Sequence, residues 1–260
     1  METRINLSGN TAIVTGGKRQ LGAAHAVRLA ECGADICLAD IAIDNDMEAT
    51  VERVKATGQK VKALVCDVAD RAAVEEMVKT CVSELGGVDI LVNNAGISSR
   101  ETLMEVSEEE WDAIFDINLK GTVLCTQLAA TQMIRQGRGG AIINLSSSTG
   151  LNANVSRGAY GVSKAGVIMA TKLFARELGE HDIRVNAIAP GFTSTARIGG
   201  RDGAMFYRGA GETERVMSRL ALKRQGEPID YANVVAFLAS DLGAYVTGVT
   251  IPVDGGFTIP

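Results

Sequence analysis

The stretch AIINLSSSTG at residues 141–150 is followed, after a polar loop, by YGVSKAGVIMATKLFAREL at residues 160–178. The apolar run 141–145 ends abruptly in a serine cluster, which is typical of a buried strand that reaches the edge of a sheet. Tyr160 and Lys164 are four residues apart in the helical pattern that follows, so their side chains lie on one helical face, one turn apart. The stretch therefore predicts a buried strand, a turn and a long helix, as in an α/β fold.

A tyrosine, a lysine and a serine in this arrangement predict a proton-transfer site. The phenol of a tyrosine has an ordinary pKa of about 10, and a nearby fixed positive charge lowers that pKa because it favours the phenolate. Tyr160, Lys164 and a serine from the strand end are then equipped for general acid–base chemistry. The alternative is that Tyr-x-x-x-Lys is an ordinary solvated helix face and that the serines form a simple turn. The rest of the chain distinguishes these interpretations.

Outside this stretch the chain alternates short apolar runs with amphipathic helical patterns, which indicates a buried parallel sheet. Right-handed crossovers then give a Rossmann-like, doubly wound α/β fold of about seven strands, with helices on both faces and ligands at the carboxyl ends of the strands. The predicted strands cover residues 11–16, 35–40, 60–68, 89–96, 141–145, 183–191 and 249–256. The predicted helices end at residues 34, 57 and 85 in the first half and span 107–136, 160–178 and 230–240 in the second.

The domain organisation follows from the even composition of the chain. No change of composition divides it, so we predict one dinucleotide-binding and catalytic domain over residues 1–260. Residues 192–226 form an irregular segment rich in glycine, arginine and threonine, as expected of a lid over a substrate.

The turn after the first predicted strand reads TGGKRQLG, residues 15–22. Glycines there let backbone N–H groups and a helix N-terminus face a pyrophosphate. The alternative is a simple tight connection, since any strand–helix turn benefits from glycine. The turn is not a phosphate loop of the Walker type, because no Gly-Lys-Ser/Thr follows.

Asp40, at the end of the second predicted strand, bears on the choice of cofactor. A carboxylate about 20 residues beyond the glycine turn is placed to bind the ribose hydroxyls of NAD. It would repel a 2′-phosphate, because two unit charges about 4 Å apart near a protein surface interact by roughly 4 kcal/mol. Arg19 favours NADP instead, yet we predict NAD, because a carboxylate at contact distance is harder to evade than an arginine is to redirect. The alternative role for Asp40 is a helix N-cap.

Composition excludes several other classes of protein. The net charge of −5 argues against nucleic acid as the main partner. We find no apolar run of 18 residues, so no membrane span is expected, and residues 1–10 lack the apolar core of a signal peptide. The five cysteines form no C-x-x-C pair and stand in apolar surroundings, which favours buried thiols and a cytoplasmic location. His25 and His181 fall on predicted helix surfaces, far apart, so no metal site is expected.

Further motifs follow the other strands, and together they carry a resemblance. In order, they are the glycine turn, Asp67-Val68, Asn93-Asn94-Ala95-Gly96, Asn118, Ser147, Tyr160, Lys164 and Pro190-Gly191. With this ordered set the chain resembles the classical branch of the short-chain dehydrogenase/reductase family, over roughly residues 7–256. The resemblance implies the same α/β fold and an oxidoreductase that uses a nicotinamide nucleotide.

The resemblance implies a role for each catalytic residue. Tyr160 is expected to be the general base in oxidation and the general acid in reduction. Ser147, rather than Ser146 or Ser148, is expected to orient the substrate. Lys164 is expected to lower the pKa of Tyr160 and to bind the nicotinamide ribose, and Asn118 to hold a water that links Lys164 to solvent.

The resemblance also implies a cofactor-binding set. Asp67 and Val68 are expected at the adenine, whereas Asn93 is expected to tie neighbouring strands together. Two positions depart from the family pattern: Gln20 stands where glycine is usual, which puts cofactor affinity in doubt because its Cβ disfavours a positive φ, and Thr193 stands where an aliphatic residue is usual. The expected set is Gly16, Arg19, Gln20, Leu21, Gly22, Asp40, Ile41, Asp67, Val68, Asn94, Ala95, Gly96, Tyr160, Lys164, Pro190, Gly191, Thr193 and Thr195.

Arginines in the loops around the expected pocket suggest a polar substrate. These are Arg100, Arg157, Arg197, Arg201 and Arg208. Such a set is suited to clamp a carboxylate or phosphate, and Ser147, Tyr160, Arg100, Arg157 and Arg197 are the predicted substrate-binding residues. The alternative is that the arginines are solvated or pair across a subunit interface. Aromatic residues are few here, so we predict NAD-dependent oxidation of a polar secondary alcohol, such as a sugar, a polyol or a hydroxy acid.

Two other functions remain open. One is an NADPH-dependent reductase of 3-oxoacyl thioesters, against which Asp40 argues because reductive biosynthesis usually draws on NADPH. The other is a non-catalytic dinucleotide sensor, against which the intact Tyr160 and Lys164 argue. The resemblance further implies a homotetramer that pairs the helices 107–136 and 160–178 across one axis and the C-terminal strand across another.

Overall fold

One sheet of seven parallel strands organises the part of the chain that the computed structural model describes, residues 5–153, 157–194 and 210–259, with side chains from residue 214 onward in the last range. The strands are β1 Thr11–Thr15, β2 Asp35–Asp40, β3 Val61–Val65, β4 Ile90–Asn93, β5 Gly140–Leu145, β6 Ile183–Pro190 and β7 Thr250–Val253. Their order in the sheet is β3-β2-β1-β4-β5-β6-β7. This confirms the predicted doubly wound fold, and the order reverses between β1 and β4, where such folds hold their ligands.

Helices connect the strands and cover both faces of the sheet. They are α1 Gln20–Glu31, α2 Asn45–Lys55, α3 Arg71–Leu85, α4 Glu108–Phe115, α5 Gly121–Gln136, α6 Ser148–Leu151, α7 Gly158–Leu178, α8 Ala210–Arg219 and α9 Pro228–Ala239. Several begin at an N-cap side chain that the sequence supplies: Asp44, Asp70 and Ser107 each accept a hydrogen bond from a backbone N–H of the first turn of α2, α3 and α4.

Two apolar cores, one on each face, hold the layers together. Successive residues of a strand point to opposite faces, so Val14 of β1 packs in one core with α1 and α9, whereas Ile13 packs in the other with α3 and α5. Both side chains are fully buried. The fold thereby fixes the carboxyl ends of the strands as one edge on which loops converge. No helix in the described ranges is long and apolar enough to cross a membrane.

The structure corrects several predicted boundaries. The predicted helix 107–136 is two helices joined by a π-helical turn, Asp116–Lys120. The first helix ends at Glu31, not at residue 34, and the third strand ends at Val65, not at residue 68. The last helix begins at Pro228, because proline has no backbone N–H to lose at a first helical position. The segment 192–226, predicted to be irregular, contains α8, and its residues 195–209 lie outside the described ranges.

His25 also differs from the prediction. It lies on α1 but is fully buried rather than on a helix surface, and neither ring nitrogen has a hydrogen-bond partner among the described residues. Burial lowers the pKa of this imidazole to about 3, so the ring is neutral at neutral pH. Within the described ranges, no group of three or more His, Cys, Asp or Glu residues is placed to hold a metal ion.

Candidate active site

The glycine turn between β1 and α1 is built for close approach of backbone. Gly16 has a φ of +61°, and a Cβ there would lie 2.8 Å from the Cα of Ala95. A Cβ on Gly22 would overlap the carbonyl oxygen of Gly16. Both positions therefore require glycine, and together they bring the start of α1 to the carboxyl edge of the sheet.

The N-terminus of α1 is left open by the residues that precede it. Arg19 occupies the N-cap position but makes no capping hydrogen bond with its side chain, and no acidic residue lies in the first turn. The first N–H groups of a helix need such partners, and they carry the positive end of the helix dipole. The uncapped helix and the glycine turn together fit the pyrophosphate of a dinucleotide.

Gln20, the departure from the family pattern, begins α1 in a left-handed conformation. Its φ is +51°, which a residue with a Cβ adopts only at a cost of about 1 kcal/mol. The turn therefore requires a left-handed backbone conformation at this position, which suits glycine, and Gln20 adopts that conformation with some strain. The positive φ bears out the concern that a Cβ at this position strains the backbone. The effect of Gln20 on cofactor affinity remains a prediction.

Asparagines after β4 tie the glycine turn to the sheet. The side chain of Asn94 donates to the carbonyl oxygens of Thr15 (3.0 Å) and Gly16 (2.9 Å). Its amide is thus committed to holding the turn, so any contact with adenosine falls to other atoms of Asn94. Asn93 donates to Asn144 of β5 (2.8 Å) and to Thr126 of α5 (2.9 Å), which confirms the prediction that it links neighbouring elements.

At the end of β2, both oxygens of the Asp40 carboxylate accept backbone hydrogen bonds, one from Lys18 (3.1 Å) and one from Ile41 (2.8 Å). The cap of α2 is Asp44, which accepts from the backbone N–H of Met47. The alternative role of Asp40 as a helix cap is therefore wrong. The carboxylate is instead fixed at the carboxyl edge of the sheet, as the binding of ribose hydroxyls requires.

Lys18 is a residue whose importance the sequence analysis missed. Its Nζ lies 2.9 Å from the carboxylate of Asp44 and 3.8 Å from that of Asp40. A positive group thus stands beside Asp40 and offsets part of its charge. The signal was present in the sequence, because a lysine inside the glycine turn lies within reach of the end of the neighbouring strand.

The expected adenine end has an exposed apolar surface. Ile41 is 62% exposed and Val65, at the end of the neighbouring strand β3, is 58% exposed. Val68 is buried instead, because it packs on α5 where Gly121 leaves room for it. The side chain of Asp67 accepts from the backbone N–H of Ala69 (2.9 Å). Val65 is absent from the predicted cofactor-binding set. Its exposed side chain, at a strand end neighbouring that of Ile41, suits contact with the face of an adenine.

The serine cluster after β5 is divided between three environments. Ser147 shares a hydrogen bond with the side chain of Tyr160 and also accepts one from the hydroxyl of Thr149 (2.9 Å). Ser146 is committed elsewhere, because its hydroxyl donates to the carbonyl oxygen of Lys164 (2.9 Å). Ser148 is buried at the start of α6. The geometry thus favours Ser147 as the substrate-orienting serine.

Tyr160 and Lys164 lie on one face of α7, as predicted. The Nζ of Lys164 lies 5.8 Å from the centre of the Tyr160 ring and donates to the carbonyl oxygen of Leu145 (2.8 Å). Lys164 is 4% exposed, and burial lowers its pKa to about 8.

The pKa of Tyr160 differs from the expectation. Burial raises it above its ordinary value, while the hydrogen bond with Ser147 and the charge of Arg157 act to lower it. The net lowering expected from Lys164 is therefore not found in the protein alone. A protonated phenol is the form that donates a proton in the reduction of a carbonyl group.

Asn118 is fully buried in the π-helical turn that joins α4 and α5. Its side chain accepts from the backbone N–H of Ile97 (2.8 Å) and donates to the carbonyl oxygen of Ile97 (2.9 Å) and to Ser163 of α7 (3.1 Å). The side chain thus ties the loop after β4 to α7. The role of Asn118 in holding a water that links Lys164 to solvent remains a prediction.

The loop after β6 would receive the nicotinamide. Pro190 is the last residue of β6, and a Cβ on Gly191 would lie 2.6 Å from the Cβ of Asp254. The hydroxyl of Thr193 donates to the buried phenol of Tyr231 (2.8 Å), so this departure from an aliphatic residue has a local partner. Thr195 lies outside the described residues.

Two of the five loop arginines lie in the described ranges. Arg157 donates to the carbonyl oxygen of Ser99 (3.2 Å) and, as noted, its charge acts on Tyr160. The Nη2 atom of Arg100 is buried and has no hydrogen-bond partner among the described residues. Arg197, Arg201 and Arg208 lie outside those residues. The structure thus brings the charge of Arg157 near Tyr160, and among the described residues one nitrogen of Arg100 has no acceptor.

Comparisons with known proteins identify relatives of this chain. The family model described as Enoyl-(Acyl carrier protein) reductase matches residues 16–258. A 3-oxoacyl-(acyl-carrier-protein) reductase of Staphylococcus epidermidis is 44% identical over 246 residues, 95% of this chain and 98% of that protein. A 2-dehydro-3-deoxy-D-gluconate 5-dehydrogenase of Dickeya dadantii is 38% identical over 252 residues, 97% of this chain and 96% of that protein.

A solved structure shows the same architecture. A protein assigned as a 2-deoxy-d-gluconate 3-dehydrogenase from Agrobacterium tumefaciens, solved with bound NADP, is 33% identical, has a TM-score of 0.90 and is covered over 100% of both chains. Fold, site and relatives together define the class: the chain belongs to the short-chain dehydrogenase/reductase family. It is an oxidoreductase that acts on CH–OH groups or their carbonyl forms with a pyridine nucleotide.

Proposed function

We propose that the protein interconverts 3-oxoacyl and 3-hydroxyacyl thioesters, acting as a reductase. The observation that carries this proposal is the 44% identity with a 3-oxoacyl-(acyl-carrier-protein) reductase over 95% of the chain. It supports the thioester alternative better than the polar alcohol that the sequence analysis preferred.

The geometry of the site supports a reduction. Tyr160, protonated because burial raises its pKa, donates its proton to the carbonyl oxygen of the substrate, and Ser147 donates a hydrogen bond to the same oxygen. Lys164 supplies a positive charge one helical turn away. The nicotinamide, when bound, supplies the hydride. Tyr160 and Lys164 would also contact its ribose, as the family resemblance implies.

A second candidate is the oxidation of a sugar acid or a related hydroxy acid. The unpartnered Nη2 of Arg100 favours it, because a buried guanidinium nitrogen is suited to a carboxylate. The 38% identity with a dehydrogenase of 2-dehydro-3-deoxy-D-gluconate is consistent with it. In this function Tyr160 takes a proton from the alcohol instead of giving one.

For the cofactor we propose that NAD(H) is preferred over NADP(H), but modestly. The fixed carboxylate of Asp40 supports NAD, whereas the ammonium of Lys18 at 3.8 Å and the exposed Arg19 reduce the repulsion of a 2′-phosphate. The structural relative solved with NADP makes this a necessary measurement.

The test is a substrate panel with each nucleotide. Reduction of an acetoacetyl thioester and oxidation of neutral sugars, sugar acids and 3-hydroxy acids are followed by nicotinamide absorbance, for the wild type and for Tyr160→Phe. We expect turnover of the thioester and a loss of at least about 100-fold in kcat for Tyr160→Phe, because the proton donor is removed. Turnover of sugar acids alone would favour the second candidate. If the protein binds a nucleotide but turns over no compound in the panel, the non-catalytic dinucleotide sensor is favoured.

We also propose that the protein forms a homo-oligomer, a tetramer by family resemblance. Two exposed apolar surfaces support it. On α7, Met169 and Leu173 are each 55% exposed, one helical turn apart. Apolar residues are also exposed on both sides of the edge strand β7: Val249, just before it, is 40% exposed, and Ile259, in the C-terminal segment after it, is 69% exposed.

A further inference from the structure

Three charged side chains meet beside the carboxyl end of β2. The Nζ of Lys18 lies 2.9 Å from an oxygen of Asp44 and 3.8 Å from an oxygen of Asp40. The side chains of Lys18 and Asp40 are only 12% and 11% exposed, whereas that of Asp44 is 46% exposed. The ammonium is thus shared unequally, with its closer partner on the solvent side.

Hydrogen bonds fix the backbone of Lys18, so a shift between the two carboxylates involves its side chain alone. Its N–H donates to Asp40 (3.1 Å), and its carbonyl oxygen accepts from the buried hydroxyl of Thr50 on α2 (2.8 Å). Asp44 is held as well, because its other oxygen caps α2 through the N–H of Met47. The hydrogen bond from Lys18 lowers the pKa of Asp44, which keeps this pair ionised.

We infer that Asp44 is a specificity-determining residue for the nucleotide: it strengthens the preference for NAD by holding the Lys18 ammonium away from Asp40. This inference rests on the proposed use of a nicotinamide nucleotide and assigns its selectivity to a residue outside the family's glycine turn and strand end. With Lys18 drawn toward Asp44, Asp40 keeps more of its charge and repels a 2′-phosphate. Released from Asp44, Lys18 would neutralise Asp40 and be within reach of that phosphate.

Asp44→Asn tests this inference without removing the helix cap, because asparagine caps a helix as well as aspartate does. Dissociation constants for NADH and NADPH are measured by fluorescence titration on the intact protein. We expect the Kd for NADPH to fall about fivefold, the size of one partly exposed charge interaction, while that for NADH changes less than about twofold. Glu48→Gln is the matched control, since it removes the same charge from an exposed position in the first turn of α2.

The mediating role of Lys18 is tested in a second background. In Lys18→Met the wild-type preference for NADH should widen, because the charge that offsets Asp40 is gone. Adding Asp44→Asn to Lys18→Met should then change the NADPH affinity no more than Glu48→Gln does. A double-mutant cycle of this kind isolates the coupling between the two residues.

The outcomes separate the inference from the proposed function. If the wild type binds a nucleotide but Asp44→Asn acts like Glu48→Gln, or acts equally in the Lys18→Met background, the inference is wrong and the proposed function stands. If the wild type binds neither nucleotide, the proposed function falls and the inference falls with it. Circular dichroism of each variant checks that α2 is retained.

Discussion

At the scale of single residues, the nucleotide side of the site contains a backbone strain that the chain tolerates. Gln20 holds a left-handed conformation at the first residue of α1, between two glycines that the turn requires. Strained backbone of this kind is kept where surrounding contacts determine it, and here Asn94 and the packing of Gly22 fix the turn on both sides. We therefore expect the glycine turn to be rigid even without a bound nucleotide.

Gln20→Gly should raise the free energy of unfolding by about 0.5–1 kcal/mol, because relief of the left-handed strain outweighs the greater freedom of glycine in the unfolded chain. Urea unfolding at pH 7 measures the change. Gln20→Ala is the control and should give no gain, since alanine keeps the Cβ. An equal gain from both variants would show that the side chain of Gln20, not its φ, is the source of the cost.

His25 predicts an acid sensitivity. Its pKa is lowered from 6.5 to about 3 in the folded state, so the unfolded chain binds the proton more tightly. Stability is fully present above pH 6.5 and is lost progressively as the pH falls toward 3. His25→Met, of similar bulk and without a titratable group, should therefore gain about 2 kcal/mol at pH 5 relative to its effect at pH 8. Urea unfolding at the two pH values, with His181→Met as the exposed control, measures the difference; equal effects at both would contradict it.

At the scale of elements, the π-helical turn 116–120 links the loop after β4 to α7, the helix that carries Tyr160 and Lys164. It places Asn118 so that one side chain holds both the N–H and the carbonyl of Ile97 and reaches Ser163 on α7. The loop after β4 and the helix α7 are thus positioned by the same amide. Extra turns of this kind in a helix are often found at functional sites.

Asn118→Ala should cost about 2–3 kcal/mol of stability, because it removes three hydrogen bonds that a fully buried side chain makes with Ile97 and Ser163. We also expect faster hydrogen exchange at Ile97 and a lower kcat, since the loop beside Lys164 is released. Thr131→Ala, on the exposed side of α5, serves as control and should change neither. Unaltered exchange at Ile97 in Asn118→Ala would contradict the positioning role.

The elements show what sequence patterns reveal and what they leave out. The strands were predictable because apolar runs separated by helices leave few alternatives to a parallel sheet. The π-helical turn at Asp116–Lys120 was not predictable, because its residues suit an ordinary helix. Only the buried contacts of Asn118 favour the wider turn. His25 and Lys18 were missed for a related reason: burial and a contact between residues 26 positions apart depend on packing that one local pattern does not contain.

At the scale of the whole molecule, the sheet order explains why distant parts of the chain form one site. β1 and β4 are neighbours, so the glycine turn lies beside Asn94 and Ala95. β5 and β6 follow, which brings Ser147 next to the loop that begins at Gly191. The nucleotide half and the catalytic half thus share one edge, and that edge could be predicted from the alternation of strands and helices alone.

Met169 and Leu173, the exposed apolar residues on α7, provide a test of the proposed oligomer. Met169→Glu with Leu173→Glu should yield a smaller species in light scattering after size-exclusion chromatography, because two buried charges would oppose association. Ile229→Glu, at the start of α9 on the other face of the sheet, should leave the mass unchanged. A wild type that is monomeric at micromolar concentration would contradict the proposed oligomer.

The strand order also bears on how the chain is made. β1, β2 and β3, with the glycine turn and Asp40, leave the ribosome first, yet β1 lacks its second neighbour until β4 has been synthesised. During that interval the unpaired edge of β1 is exposed to other chains. This strand contains only threonine and apolar residues. The parallel topology that concentrates the site at one edge therefore makes the nascent protein vulnerable to misassembly, and chaperone demand should be greatest before residue 93 emerges.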